Sequence, residues 1–197
     1  MSITNGYCSL ADIKSSLRIE DSVDDAMLEL AVETASRQID DHCERVFYSV
    51  TNTRYFMPRD SYVCEIDDIS LITSVKTSSA ADNVFDTQWE TTDYQLEPLN
   101  GIAGGVQSPT THLIAIEDYL FPVNGREATV QVIGQFGWTQ IPTAIKYATI
   151  LLGARLFKRM DSPLGVAGIG DIGVIRVSRI DPDIDALIAP FKKPRFA

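Results

Sequence analysis

The sequence predicts an α+β protein: two N-terminal helices, one long C-terminal helix and a short final helix make a helical core, and an antiparallel β domain is inserted in it. Three observations predict this. Apolar residues recur at helical spacing from Val23 to Val46 and again from Ala144 to Phe157. Between about Thr51 and Phe136 the period shortens into β-branched and aromatic runs separated by turn residues. Proline stands at the expected first position of two helices, in Ile141-Pro142 and Asp181-Pro182. The expected division is residues 1–50 with 137–197 for the helical part and 51–136 for the β insertion.

The first helix is expected over residues 9–19, with Ser9 as N-cap and Asp12 completing a capping box. A second helix runs from after Ser22 to about Val46, with Val23, Ala26, Met27, Leu30, Ala31, Ala35, Ile39 and Cys43 on its apolar side. Strands are expected at Thr53–Met57, Tyr62–Ile66, Ile72–Thr77, Tyr94–Glu97, Leu113–Glu117 and Ala128–Phe136. The pair Asn124-Gly125 tolerates positive φ and predicts a hairpin joining the last two. Residues 78–92 and 100–109 read as loops. The third helix starts at Ile141-Pro142, buries Ala144, Ile145, Ala148, Leu151, Leu152, Leu156 and Phe157, leaves Lys146, Thr149 and Gly153 as a narrow polar strip, and ends at Ser162-Pro163. Val174–Val177 reads as a short strand. Asp181-Pro182 opens the last helix, whose apolar side is Ile184, Leu187 and Ile188.

Composition excludes several classes. At 197 residues and 45% hydrophobic, the chain is long enough to bury a core. The opening MSITNGYCSLADIK has no basic stretch followed by an apolar run, and no segment approaches the roughly 20 apolar residues of a membrane span, so secretion and membrane insertion are not expected. Cys8, Cys43 and Cys64 are odd in number and widely spaced, which fits folding in a reducing cytoplasm. A net charge of -10 argues against gripping nucleic acid through its phosphates.

The chemical motifs weigh towards structure over catalysis. Gly168-Ile169-Gly170-Asp171-Ile172-Gly173 spells GxGxxG, but a helix precedes it and a strand-like run follows, the reverse of the dinucleotide-binding order. A flexible hinge at Gly165, Gly168, Gly170 and Gly173 is expected instead. His42 and Cys43 are adjacent on a helix and point about 100° apart, so they do not share a metal. Glu65, Asp67 and Asp68 lack the spacing of a cation loop and read as a solvated turn. The serines lack a nucleophile elbow. Tyr55, Phe56, Trp89, Tyr119, Phe121 and Trp138 read as core of a small β domain. No catalytic residue, metal or cofactor is expected. A nucleotide- or metal-dependent enzyme is the distant alternative.

The order of these pieces carries a resemblance. Tyr7-Cys8-Ser9-Leu10-Ala11-Asp12-Ile13-Lys14, Asp24-Asp25 leading to Ala35-Ser36-Arg37-Gln38-Ile39-Asp40, and Phe136-Gly137-Trp138 followed by Ile141-Pro142 are its first elements. Arg155-Leu156-Phe157-Lys158-Arg159, Asp161-Ser162-Pro163-Leu164-Gly165 and Val177-Ser178-Arg179-Ile180-Asp181-Pro182-Asp183 complete it. The chain resembles the head-tail connector, or adaptor, proteins of tailed bacteriophages and gene-transfer particles, the gp6-like/gp15-like neck family.

That resemblance implies a structural virion protein, made in the host bacterial cytoplasm and placed in the neck at the portal vertex of the capsid. It implies a homo-oligomeric ring, usually dodecameric, beneath the portal protein. The ring extends the DNA channel and docks the next neck protein, a stopper or tail-completion protein. DNA passes without sequence-specific binding. The family's use of its C-terminal segment places portal docking at Ile184, Leu187, Ile188, Phe191, Lys192, Lys193, Arg195 and Phe196. A stopper or tail-completion protein of the same neck is the alternative role.

Overall fold

Ser9 opens helix α1 (Leu10–Leu17) with a reciprocal cap: its hydroxyl accepts from the Asp12 amide at 3.1 Å, and the Asp12 carboxylate accepts from the Ser9 amide at 2.9 Å. The computed structural model describes residues 2–78, 84–125, 127–160 and 181–193. Among the described residues, four α-helices and an antiparallel sheet make it an α+β protein. The chain divides into two units, Met1–Arg45 with Ile141–Ala197, and Val46–Gln140.

In the first unit, α2 (Asp25–Cys43) follows Asp24, α3 (Thr143–Met160) follows Pro142, and α4 (Pro182–Ile188) follows Asp181. Helix α2 packs on α3, and α1 touches both. Cys8, Ile13, Leu28 and Val32 are buried together, with Leu10, Leu17, Ile150 and Phe157 packed against them. Helices α1 and α2 both end on a left-handed residue that is not glycine, Arg18 at φ 59 and Glu44 at φ 55. Each cap amide donates back to the preceding turn, which satisfies carbonyls the helix end leaves open.

Two expected helix faces are corrected. The buried side of α2 is Leu28, Ala31, Val32, Ala35, Ser36, Ile39 and Cys43, whereas Val23, Met27 and Leu30 are exposed. Apolar residues surround the first turns of this helix, so periodicity alone admits either face. On α3 the strip assigned as polar is partly interior: Thr149 is fully buried and its hydroxyl donates to the Ile145 carbonyl at 2.9 Å. Gly153 is buried as well, and a Cβ there would stand 3.0 Å from Ile13 Cδ1. Small residues on this side let α3 approach its neighbours closely. The expected end of α3 at Ser162-Pro163 and the strand at 174–177 lie outside the described residues.

The second unit holds β1 (Val50–Phe56), β2 (Val63–Thr77), β3 (Thr87–Trp89), β4 (Tyr94–Glu97), β5 (Ile102–Ala103), β6 (Val106–Gln107), β7 (Thr110–Ala115) and β8 (Val130–Phe136). The main sheet runs β1-β8-β2-β7-β4, with β3 also paired to β2. The strands expected at 62–66 and 72–77 are one strand. Register shifts between Glu65 and Ile69 and again between Ile69 and Ser74 let β2 continue through Asp67-Asp68, which reads as a turn in sequence.

The hairpin expected at Asn124-Gly125 does not form. Strands β7 and β8 lie on opposite sides of β2, and the chain between them bonds elsewhere: Phe121 N donates to Ser61 O at 2.8 Å and Thr129 N to Phe56 O at 3.1 Å. Gly125 is left-handed, and Asn124 Oδ1 accepts from Glu127 N within this connection. The tight hairpin sits instead in the expected loop at 100–109, where β5 and β6 are joined by Gly104 and Gly105, both with positive φ.

Aromatic packing fills the sheet core. Trp89, read as core though within an expected loop, lies on β3, is buried and stacks on Phe121 at 4.5 Å with planes 2° apart. Its indole N–H donates to Thr77 Oγ1 at 3.0 Å. Trp138 is buried against Phe47 and donates to Asp68 Oδ2 at 3.2 Å. Gly137 stands between them in sequence space: at φ 105, an added Cβ would lie 1.9 Å from the Tyr48 carbonyl oxygen. Tyr55 and Tyr119, by contrast, are exposed.

Candidate functional site

The C-terminal segment is the candidate, and its local sequence explains its shape. Asp181 Oδ1 accepts from Asp183 N at 3.1 Å, Pro182 supplies the first turn without needing an amide bond, and α4 runs on into a 3-10 turn at Ala189–Phe191. Ile184, Ile188 and Phe191 follow at spacings of four and three, so they share one side. All three are buried.

Polar contacts fasten this segment to α2 and α3. His42 Nε2 lies 3.0 Å from Asp185 Oδ1, and Lys192 Nζ lies 2.7 Å from the same oxygen. The Lys192 and His42 contacts hold the Asp185 carboxyl below the ordinary range. Lys193 N donates to the Cys43 carbonyl at 3.0 Å, and Arg155 meets Asp181 at 3.5 Å. Between the three helices lies a cavity of about 390 Å³, lined by Ile39, His42, Leu152, Arg155, Arg159 and Ile184 among others. A shallower apolar groove runs beside it, between Tyr147 and Leu151 of α3 and Ala186 and Leu187 of α4.

Of the expected docking residues, Leu187, Lys192 and Lys193 are partly exposed, while Ile184, Ile188 and Phe191 face inward. Arg195 and Phe196, and the expected hinge at Gly165, Gly168, Gly170 and Gly173, lie outside the described residues. So does the GxGxxG stretch.

The other candidate clusters do not assemble into a reactive centre. His42 turns to Asp185, and Cys43 is fully buried beside the Ile188 carbonyl. Burial pushes the Cys8 and Cys43 thiols up to about 11 and the Cys64 thiol to about 12, so all three stay protonated and unreactive at neutral pH. Glu65 pairs with Arg59 and Asp67 with Arg54, whereas Asp68 turns inward to Trp138. These carboxylates belong to strand β2, in place of the expected solvated turn. Among the described residues, no group of three His, Cys, Asp or Glu side chains is arranged to hold a metal ion. No helix among them is long and apolar enough to cross a membrane.

Sequence reasoning missed a polar clamp at the N-terminus. Glu33 Oε1 accepts from Thr4 and Asn5 amides, Ser36 Oγ accepts from the Tyr7 amide at 3.0 Å, and the Tyr7 hydroxyl donates to Asp40. Arg37 Nε lies 2.9 Å from Asp40 Oδ2, and its guanidinium sits over the Tyr7 ring. Burial raises the Asp40 carboxyl to about 6 even against those two favourable partners. The run of polar residues at Glu33, Ser36, Arg37 and Asp40, spaced three and four apart, is the signal that was available.

Comparison with known proteins follows the same line. A family model described as phage gp6-like head-tail connector protein matches residues 7–77, which cover α1, α2, β1 and β2. None of the curated proteins matches the chain. Among solved structures, a chain from the neck of an empty GTA particle computed with C6 symmetry is similar at TM-score 0.63 and 15% identity, over 100% of this chain and 95% of that one. A chain from the neck of the native GTA particle computed with C12 symmetry gives 0.61 at 14% identity, covering 100% and 94%. One from the virion of the native gene transfer agent particle gives 0.61 at 15%, covering 100% and 95%. At these identities the likeness shows a shared fold. Taken with the family match, it supports a head-tail connector, a structural protein of the virion neck. The matched family is one of structural proteins, which fits a role without catalysis.

Proposed function

We propose that the protein is a head-to-tail adaptor: a helical core carrying a β insertion, assembled as a closed ring beneath the portal protein, extending the DNA channel and docking the next neck protein. The observation that carries this reading is the gp6-like match at residues 7–77, joined to a fold shared along the whole chain with neck chains solved under C6 and C12 symmetry. Twelve copies in the assembled ring agree with the latter. A net charge of -10 suits a conduit that repels phosphates, so that DNA slides through without being held.

The C-terminal segment is the portal-facing part in this proposal. Because Ile184, Ile188 and Phe191 pack inside the helical unit, the docking contacts fall to Leu187, Lys192 and Lys193, with Arg195 and Phe196 beyond them. The buried trio holds the segment in place for those contacts. Removing everything after Ile180 therefore confounds docking with folding, and surface substitutions are the cleaner test.

The full chain is expected to co-sediment with portal-bearing capsids. A Lys193→Glu variant is expected to bind about tenfold more weakly or worse, with its melting temperature little changed. Undiminished co-sedimentation of that variant removes the segment from the portal interface. Electron microscopy of the protein with portal complexes tests the ring itself.

A further inference from the structure

Resting on the adaptor reading, we propose that neighbouring copies join through two different outward helix faces of the first unit: the start of α2 on one copy seats against the outer stripe of α3, beside α4, on the next. The occupant of each face is a second copy of this chain.

The first face surrounds the beginning of α2. Val23, just before the helix, is 85% exposed, and Met27 and Leu30 are 40% and 45% exposed. With exposed Ala26 they place four neighbouring apolar side chains at the surface around the helix start. At about 100° per residue, positions 27, 30 and 34 project opposite to 28, 32, 35 and 39, which are buried. The patch therefore looks away from the helical core.

The second face is on α3. Tyr147, 53% exposed, begins a stripe that continues through Leu151 and Ala154 to Lys158, each one turn from the last. This stripe projects opposite to Ile145, Ala148 and Thr149, which are buried. Ala186 and Leu187 of α4 border it and make it a shallow groove.

Geometry makes the two faces suitable for a ring. Helices α2 and α3 pack on each other, and each carries its exposed stripe on a side other than the one it buries. A contact between unlike patches is heterologous, and repeated rotation closes it into a ring. A two-fold dimer needs one patch that matches itself.

Charge selects the pairing. The α2 patch is bordered at its N-terminal end by Glu20, Asp21 and Asp24, whereas the α3 stripe ends in exposed Lys158, with Arg159 next to it on the side that lines the α2–α3–α4 cavity. Among the described residues, Glu20, Asp24, Lys158 and Arg159 take part in none of the side-chain ion pairs. Bringing the acidic end of one face to the basic end of the other sets the two helices antiparallel, which also places each dipole end beside its opposite. Among the residues that line the groove, Asp183 is the acidic group that opposes this arrangement. Its position on α4 keeps it at the other side of the groove from the α3 stripe.

Sedimentation velocity at rising protein concentration reads the proposal directly. The full chain is expected to self-associate. Leu30→Asp and Tyr147→Asp, each at an exposed position, are expected to weaken association about a hundredfold while keeping the helical circular dichroism of the parent. Mixed together, those two variants are expected to form a dimer and stop there, because each retains the one face the other has lost. Asp24→Lys and Lys158→Glu are expected to weaken association singly and to restore it when combined in one chain.

Parent-like assembly of both aspartate variants overturns the proposal, as does a mixture that stays monomeric or a parent chain that never self-associates. The adaptor reading is judged separately by capsid co-sedimentation. A chain that binds portal-bearing capsids but assembles through other faces sinks only the inference drawn here.

Discussion

The helical unit and the β unit are held together by different means. In the helical unit, distant segments are tied by charged and polar side chains: Glu33, Ser36 and Asp40 to residues 4–7, Asp12 to Lys146, and Asp185 to His42 and Lys192. In the β unit the ties are aromatic contact and backbone proximity, as in the Trp89–Phe121 stack and the approach of Gly137 to Tyr48. Polar ties depend on protonation and geometry, whereas close packing depends on volume. The helical unit therefore carries Asp12 and Asp40, two carboxyls moved well away from their ordinary value, and the β unit carries a close aromatic stack whose loss leaves a cavity.

Removing an indole from the β core is expected to have the largest effect. Trp89→Ala empties the space against Phe121 and abandons Thr77, and is expected to cost about 3 to 5 kcal/mol in urea unfolding. Amide exchange should accelerate across β2, β3 and β7 and hold steady in α1, α2 and α3. Equal acceleration in both units would show a single cooperative block.

A smaller loss is expected from Ser36→Ala. Its buried hydroxyl accepts from the Tyr7 amide and donates to the Val32 carbonyl, so alanine leaves a buried amide unsatisfied at a cost of about 2 kcal/mol. The accompanying change is loosening of residues 2–9, measured by proteolysis or amide exchange. A variant as stable as the parent would remove the clamp from the account of this unit.

The smallest effect is on pH dependence. The Asp40 carboxyl is raised from 3.8 to about 6 in the folded chain, so folding favours its protonated form. The contribution is fully present below 3.8 and is lost as pH rises through about 6. Asp12 runs the other way: held at about 2, first by the Ser9 hydrogen bonds and then by Lys146, it contributes above 3.8 and loses that contribution as pH falls through about 2. Asp40→Asn is expected to flatten the stability profile between pH 4 and 6 and leave the more acidic limb unchanged, as read from thermal melts across pH.

Local signals in the sequence translated directly into structure. Ser9 and Asp12 predicted a capping box, and both hydrogen bonds are made. Pro142 stands just before α3, Pro182 opens α4, and the strand at Tyr94–Glu97 has the expected bounds. At the candidate site, the spacing of Ile184, Ile188 and Phe191 made one apolar side of the segment legible. That this side is covered by its own unit was not, because spacing defines a face without naming what lies against it.

What sequence alone could settle here is whatever depends on neighbours within a turn or two: caps, proline starts, and helical or strand period. These are set by short-range sterics and hydrogen bonding, which the residues carry with them. Long-range packing settled the rest. It chose Leu28 and Val32 over Met27 and Leu30 as the inner side of α2, carried β2 unbroken through Asp67 and Asp68, and placed β7 and β8 on opposite flanks of β2. Each of those outcomes turns on which distant surface or backbone edge is available to be covered, and a pattern along one chain does not contain that partner.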